Sequence, residues 1–246
     1  MAQANIGTAG WSIPRQVASA FAAEGSALER YAGRFNATEI NSSFYRPHRL
    51  TTWSRWRDST PDGFAFSVKV PRAITHERKL EDFEEPLAQF LAQVECLGDK
   101  LAVVLVQLPP KLALDPESAG RFFRALVSRT RAAIACEPRH PSWFSSEADT
   151  WLAGHMVARV AADPAICEEA LHPGGWDGLA YWRLHGSPRM YRSSYGDRLA
   201  HYAALLGAKA AAGTDTWCIF DNTASSAAAG DALALAEVLT VAQACR

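Results

Sequence analysis

The stretch Glu39-Ile40-Asn41-Ser42-Ser43-Phe44-Tyr45-Arg46-Pro47 places an acid and an amide on one face of a predicted strand and then breaks into an Arg/Pro loop. Side chains alternate across a strand, so Glu39 and Asn41 point the same way while Ile40 points to the other side. The same layout recurs along the chain. Lys69, Gln107, Glu137, Asp163, Arg183 with His185, and Asp221 each stand at or near the end of a short apolar run that loop or helix signals follow. The runs are Asn5–Gly10, Ala37–Ser42, Phe64–Val70, Leu101–Leu108, Ala132–Glu137, Met156–Ala162, Leu179–His185 and Thr216–Asp221.

Helical patterns lie between most of these runs. Pro86 to Gly98 spaces Leu87, Phe90, Leu91, Val94 and Leu97 three and four apart, which builds one apolar stripe. Pro116 to Arg131 does the same with Phe122, Phe123, Leu126 and Val127, opened by Asp115 as N-cap and Pro116 at the first helical position. Gly230 to Ala244 supplies a last apolar helix. Strand and helix alternating eight times predict an α/β fold, a single (β/α)8 TIM-type barrel with a parallel eight-stranded sheet ringed by helices. The 246 residues fit one such domain spanning residues 1–246, since these barrels commonly take about 250 residues. A Rossmann fold is not expected, because Gly7-Thr8-Ala9-Gly10-Trp11 lacks the dinucleotide-binding glycine spacing and is no Walker loop.

Composition removes several function classes. Hydrophobic residues make up 48% and charged residues 21%, which is ordinary globular usage. No apolar run approaches the roughly 20 residues of a membrane span, and Met1 to Asn5 shows no secretory signal, so a cytoplasmic location and no membrane partner are expected. Cys96, Cys136, Cys167, Cys218 and Cys245 are odd in number and widely spaced, and they read as reduced core thiols. A net charge of −1 gives no global polycationic field. Arginine nevertheless outnumbers lysine 20 to 5, and Arg46, Arg49, Arg72, Arg78, Arg139, Arg189 and Arg192 fall in predicted post-strand loops. Their planar forks suit carboxylate or phosphate, although a high-GC genome accounts equally well for the bias.

In a barrel, the last inward polar residues of the strands face the C-terminal mouth, where active sites form. Glu39 with Asn41, and Arg183 with His185, share inward faces; Lys69 is in phase with Ser67, and Glu137 follows the small Ala133 and Ala135. A buried Lys69 needs a charged partner, which Glu39 or Glu137 would supply. The bland alternative is a structural ion-pair network plugging the barrel. His185 is the acid/base candidate, because imidazole titrates near neutrality. Glu39, Glu137, Asp163 and His185 are also ligand types for a divalent cation, but no His-x-x-x-His or Glu-x-x-His spacing supports one, and a metal is not favoured. Trp11, Phe44, Tyr45, Trp143, Phe144, Tyr191 and Tyr195 follow strand ends, where aromatics either wall a pocket or roof the core.

The segments Gly7–Trp11, Glu39–Tyr45, Phe66–Pro71, Gln107–Pro110, Glu137–His140, Arg183–Gly186 and Phe220–Asn222 resemble, in order and from first strand to last, the YecE family, domain of unknown function 72. The resemblance implies a (β/α)8 barrel with a polar mouth and a loose likeness to metal-dependent endonuclease and sugar-isomerase barrels. It implies no reaction. By position, the family-like polar residues are Glu39, Asn41, Lys69, His76, Gln107, Glu137, Arg139, Asp163, Arg183, His185, Tyr195 and Asn222; the family often carries an Asn pair where this chain has Asp221-Asn222.

These readings combine into one expectation. The chain is an enzyme of hydrolase type that takes a small anionic ligand, with Glu137, His185 and Lys69 catalytic. Glu39, Asn41, Tyr45, Arg46, His76, Gln107, Arg139, Asp163, Arg183, Tyr195 and Asn222 contact the substrate. The rival expectation is a non-catalytic barrel that binds a ligand or nucleic acid. No cofactor is identified and no protein partner is evident.

Overall fold

The computed structural model describes residues 4–244; Cys245 lies outside them. Ten strands are present: β1 (Asn5–Thr8), β2 (Ala37–Ile40), β3 (Ala65–Lys69), β4 (Leu101–Gln107), β5 (Ala133–Glu137), β6 (Val157–Arg159), β7 (Ala161–Asp163), β8 (Gly174–Gly175), β9 (Leu179–Leu184) and β10 (Asp215–Phe220). Seven α-helices accompany them: α1 (Ala27–Ala32), α2 (Leu50–Asp58), α3 (Glu84–Val94), α4 (Pro116–Val127), α5 (Ser146–Gly154), α6 (Leu199–Ala211) and α7 (Ala228–Ala244). Helix α4 starts as its sequence predicts, with Asp115 Oδ1 accepting the Glu117 N–H at 3.2 Å and proline in the first turn. The helix expected to run to Gly98 ends at Val94 and continues as a 3-10 turn to Lys100, inside which Gly98 takes a positive φ of 57°.

The expectation of one closed, parallel eight-stranded barrel is overturned. The strands form two sheets, a four-stranded one in the order β1-β10-β9-β7 and a six-stranded one in the order β2-β3-β4-β5-β6-β8. All pairings are parallel except β6 with β8, which is antiparallel.

Two local arrangements separate the sheets. Between β1 and β2, the Tyr31 hydroxyl accepts the Thr8 N–H at 2.7 Å and donates to the Ala37 carbonyl at 3.2 Å, standing where a ladder bond would run. The strands meet directly at the Ala9–Glu39 bridge, where the Gly10 N–H donates to the Glu39 carbonyl at 2.8 Å, and through Thr38 Oγ1, which donates to the Thr8 carbonyl at 3.0 Å. At the second seam the predicted run Met156–Ala162 divides at Val160. Its first half pairs with β5 and its second with β9. The free edge of β6 is occupied by the two glycines of β8, a strand the sequence pattern did not reveal. A Cβ on Gly175, whose φ is +67°, would lie 2.5 Å from the Val157 carbonyl, so only glycine fits there; one on Gly174 would lie 2.4 Å from Arg159 Nη2 and displace that side chain.

Strand alternation divides the core in two. One cluster, including Phe66, Val68, Trp182, Leu184 and Phe220, packs under the helices. A second, including Ala37, Leu105, Ala135, Val160, Tyr181 and Trp217, draws on strands of both sheets and fills the space between their inner faces. Trp143 and Phe144 are buried in the helix-side core, so these two post-strand aromatics roof the core. No helix among the described residues is long and apolar enough to cross a membrane.

Thr8 and Ala37 are both buried, so replacing Tyr31 with Phe strands their N–H and carbonyl. The expected cost is about 1–3 kcal/mol, read from urea unfolding as a lower midpoint at unchanged slope. A variant as stable as the parent would show that the two strands close directly and that the hydroxyl is no spacer.

Candidate functional site

The inner faces of β2, β3, β5, β9 and β10 carry charged residues toward their C-terminal ends, and these converge between the sheets. Glu39 follows the inner Ala37 by two residues, Glu137 follows Ala135, Arg183 follows Tyr181, and Asp221 follows Ile219. Glu39 and Glu137 are fully buried.

Arg183 stands at the centre. Its Nε donates to Glu39 Oε2 at 2.9 Å and its Nη2 to Glu39 Oε1 at 2.7 Å, a bidentate fork across the gap between sheets. Nη1 donates to Glu137 Oε2 at 2.5 Å and Nη2 also to Asp221 Oδ2 at 3.0 Å. Burial alone disfavours the charged guanidinium, but the three carboxylates outweigh it and raise its pKa well above the ordinary arginine value. Burial likewise pushes Glu137 upward, and Arg139, Arg183 and His185 together reverse that and hold it well below the usual carboxylate range. The Tyr181 hydroxyl donates to Glu39 Oε2 at 3.0 Å and lies 2.9 Å from Ser67 Oγ, so Glu39 is satisfied from both sides.

His185 is enclosed. With a proton on Nδ1 its ring donates to Asp221 Oδ2 at 3.1 Å, while Nε2, 2.7 Å from Arg139 Nη2, accepts from that guanidinium. A second proton, on Nε2, would point to Glu137 Oε1 at 3.2 Å. Both nitrogens are engaged in either state, and the ring is 1% exposed. Arg139 Nη2 also donates to Glu137 Oε1. Of the six carboxylate oxygens of Glu39, Glu137 and Asp221, five accept from Arg183, Arg139, His185 or Tyr181, leaving Asp221 Oδ1. Such a donor set does not fit a divalent cation, and among the described residues no three His, Cys, Asp or Glu side chains form a metal-holding group.

Lys69 differs from the expectation. Neither Glu39 nor Glu137 pairs with it; no carboxylate lies within 4.0 Å of its ammonium among the described residues, because Arg183 has taken both acids. The Nζ instead sits 4.1 Å above the Phe44 ring, with the side chain 7% exposed. Burial first, then the neighbouring Arg183, lowers its pKa to about 8 against the opposing pull of Glu39, Glu137 and Asp221. The backbone beneath is fixed by Ser43 Oγ, which lies 2.7 Å from the Lys69 carbonyl and 3.0 Å from that of Ile40.

The remaining expected site residues divide. Asn41 stands next to Phe44's turn with its Oδ1 buried and unpartnered. His76, on a π-helical turn directly after β3, packs edge-on against Phe44 at 5.0 Å; burial and then Lys69 lower its pKa. Gln107 is in phase with the inner Leu105 and paired in register with Glu137. Five residues do not join the cluster. Asp163 belongs to the outer phase of β7 and pairs with Arg198 at 2.6 Å. Tyr195 is buried beside it, its hydroxyl accepting the Gly186 N–H at 2.8 Å and donating to the Asp163 carbonyl at 3.1 Å. Asn222 donates from Nδ2 to Asp231 Oδ2 at 2.6 Å, on the helix side of β10. Tyr45 is 72% exposed and Arg46 is also exposed. The list in turn omitted Asp221, Tyr181, Ser67 and Phe44. Strand parity would have found the first three, since Asp221 is in phase with Trp217 and Ile219 and Asn222 is not; Phe44 stands on a 3-10 turn, where parity does not apply.

Comparison with known proteins follows the fold. Residues 5–245 match the family model described as protein of unknown function DUF72. The chain is 28% identical over 141 residues to the UPF0759 protein YecE of Escherichia coli K12, covering 57% of this chain and 50% of that protein. It is 29% identical over 146 residues to the UPF0759 protein YunF of Bacillus subtilis 168, covering 57% and 52% respectively. These matches span about half the length of the curated relatives. Among solved structures, a DUF72 family protein from Enterococcus faecalis V583 superposes with a TM-score of 0.82 at 18% identity over 97% of this chain and 96% of that one. One from Thermotoga maritima MSB8 gives 0.78 at 22% identity over 96% and 99%. The chain belongs to the DUF72 family.

Removing Arg183 tests the cluster's electrostatics. Arg183→Met leaves Glu39 buried without a cation and Glu137 with only Arg139 and His185, and is expected to cost about 3–5 kcal/mol. In the parent, the depressed Glu137 pKa contributes stability that is intact above the unfolded value of about 4.3 and is lost as pH falls through the lower folded value. In the variant Glu137 keeps only Arg139 and His185 against its burial, so the loss of stability on the acid side should be shallower than in the parent. Unfolding curves that shift with pH as the parent's do would refute this account.

Proposed function

We propose that this member of a family without an assigned activity is an enzyme acting on a small carboxylate- or phosphate-bearing substrate at the C-terminal rim of the inner strands, with Lys69 as its reactive group. The observation that carries the reading is a buried lysine with no carboxylate partner beside an arginine that holds three. A structural lysine in the same chain looks different. The Lys100 Nζ donates to the carbonyls of Arg57 and Thr60 at 2.7 and 2.6 Å and to Thr60 Oγ1 at 3.0 Å.

Hydrolysis through a Glu137/His185 acid–base pair draws less support from this geometry. Glu137 is held ionised by its cations, and both His185 nitrogens are committed to neighbours. A group whose pKa lies near the working pH moves protons best, and Lys69 has that property through burial. Its ammonium, with the Nε and Nη1 of Arg139 that have no acceptor among the described residues, offers an anion both charge and N–H donors.

A second reading, a non-catalytic protein for a nucleic acid or other polyanion, draws on the exposed Arg46, Arg49, Arg78, Arg189 and Arg192 in loops after the strands. It predicts affinity that falls steeply with salt through counterion release, at arginines rather than at Lys69.

The test is thermal unfolding with phosphate, glycolate and other small anions. Binding at a hundredfold excess over Kd adds about 2.7 kcal/mol to stability, which raises the melting temperature. The rise should be present at pH 7, decline as pH increases through about 8 with loss of the ammonium, and vanish in Lys69→Met. Anions that stabilise Lys69→Met as well as the parent would remove Lys69 from the site.

A further inference from the structure

Lys69 combines three features that together fit a nucleophilic amine. Its side chain is 7% exposed, and its Nζ has no hydrogen-bond acceptor and no carboxylate within 4.0 Å among the described residues. The contact it does make, 4.1 Å above Phe44, is to an apolar ring face that leaves its N–H groups unused. The nearby Arg183 cation and the burial work against protonation, the two devices by which a lysine is kept nucleophilic near neutral pH. Lys69 thus has a substantial neutral fraction where an ordinary lysine has almost none.

We infer that Lys69 captures the carbonyl carbon of a substrate that also carries a carboxylate or phosphate, forming a covalent imine at the rim. This rests on the reading of Lys69 as the reactive group given above and deepens it to a substrate class, oxo acids and phosphorylated aldehydes or ketones. The nitrogen lone pair forms the C–N bond while the carbonyl π pair moves to oxygen, which takes up a proton. Loss of that oxygen as water breaks the C–O bond, and the two amine hydrogens leave in effect with it. Amine and carbonyl become imine and water, with no oxidant or reductant.

The surroundings supply the remaining parts. Arg139 offers the anion an N–H from Nε or Nη1, its Nη2 being taken by Glu137 and His185. Asp221 Oδ1, the one carboxylate oxygen of the cluster without a donor, is available to accept a hydrogen bond from the amine or the carbinolamine. The buried Oδ1 of Asn41, also without a donor, can accept from the hydroxyl of the carbinolamine.

The experiment is reductive trapping. The parent and Lys69→Arg are incubated with glyoxylate, pyruvate or glyceraldehyde 3-phosphate and cyanoborohydride at pH 7.5, and adducts are located by peptide mass spectrometry. Glycolate, which has the anion but no carbonyl, is run in parallel by thermal unfolding. The expected result is one adduct per chain on Lys69, formed at least about tenfold faster than on Lys79, Lys100, Lys111 or Lys209 because its neutral fraction is larger. Lys69→Arg should remain folded by circular dichroism, still be stabilised by glycolate, and yield no such adduct. Uniform labelling of the lysines, or no preference for Lys69 with any of the three probes, overturns the imine. If glycolate still stabilises the parent in that case, the anion site stands without it; if glycolate is also without effect, both readings fall.

Discussion

One guanidinium joins the two sheets. Arg183 is carried by the four-stranded sheet, and the acids it grips, Glu39 and Glu137, are carried by the six-stranded one, with Asp221 following β10 on its own side. Placing four formal charges in a dry interior is costly, and each is tolerable only while the others are present. Such a network does little for net stability compared with apolar packing of the same volume. Its effect is on geometry, because the sheets can meet only in the arrangement that brings the fork to its carboxylates. The apolar layer beneath, from Ala37 to Trp217, packs non-directionally and would accept several offsets; the ion cluster at its C-terminal end accepts one.

The same arrangement decides which residues remain free for chemistry. Arginine's fork can serve several carboxylates at once, whereas an ammonium is a compact point charge. Once Arg183 has satisfied Glu39 and Glu137, nothing compels Lys69 to pair, and its position over Phe44 leaves it desolvated but unneutralised. The enclosed His185 is the converse case. It is buttressed by Asp221, Glu137 and Arg139, so its contribution is to hold those three in place. A group locked on both sides is a good support and a poor proton carrier.

Much of this was legible in the sequence, and the omissions have definite causes. Each of the eight apolar runs contains a strand, and the inward phase of Glu39, Lys69, Glu137, Arg183 and His185 follows from alternation alone. Periodicity, however, says nothing about strand partners. A closed barrel was expected from counting repeats, whereas the seams depend on one tyrosine hydroxyl, 23 positions from Thr8 and 6 from Ala37, and on a two-glycine strand too short to have a period. Asp163 and Asn222 entered by different routes, Asp163 as a polar residue at a strand end and Asn222 by position in the family resemblance, and each stands one residue out of phase with its inner neighbours. Pairing was the third gap. From sequence, Lys69 had two equally plausible acids, and only the reach of Arg183 across the space between sheets removes them both.

That outcome bears on how to weigh the bland alternative, an ion network that merely plugs the interior. A plug has no reason to leave charges unmatched. Glu39, Glu137, Arg183 and His185 meet that description, since each of their charged atoms has a partner, and they are best regarded as framework. Lys69 Nζ, Asp221 Oδ1, the outer edge of Arg139 and Asn41 Oδ1 do not, and all four belong to residues at the C-terminal rim. Of the four, Asn41 Oδ1 is cut off from solvent, and an unmatched buried polar atom costs free energy in the folded state that an apolar substitution would recover. A chain that keeps guanidinium N–H groups, one amine, one carboxylate oxygen and one amide oxygen unmatched together at one rim is arranged for something that arrives from outside.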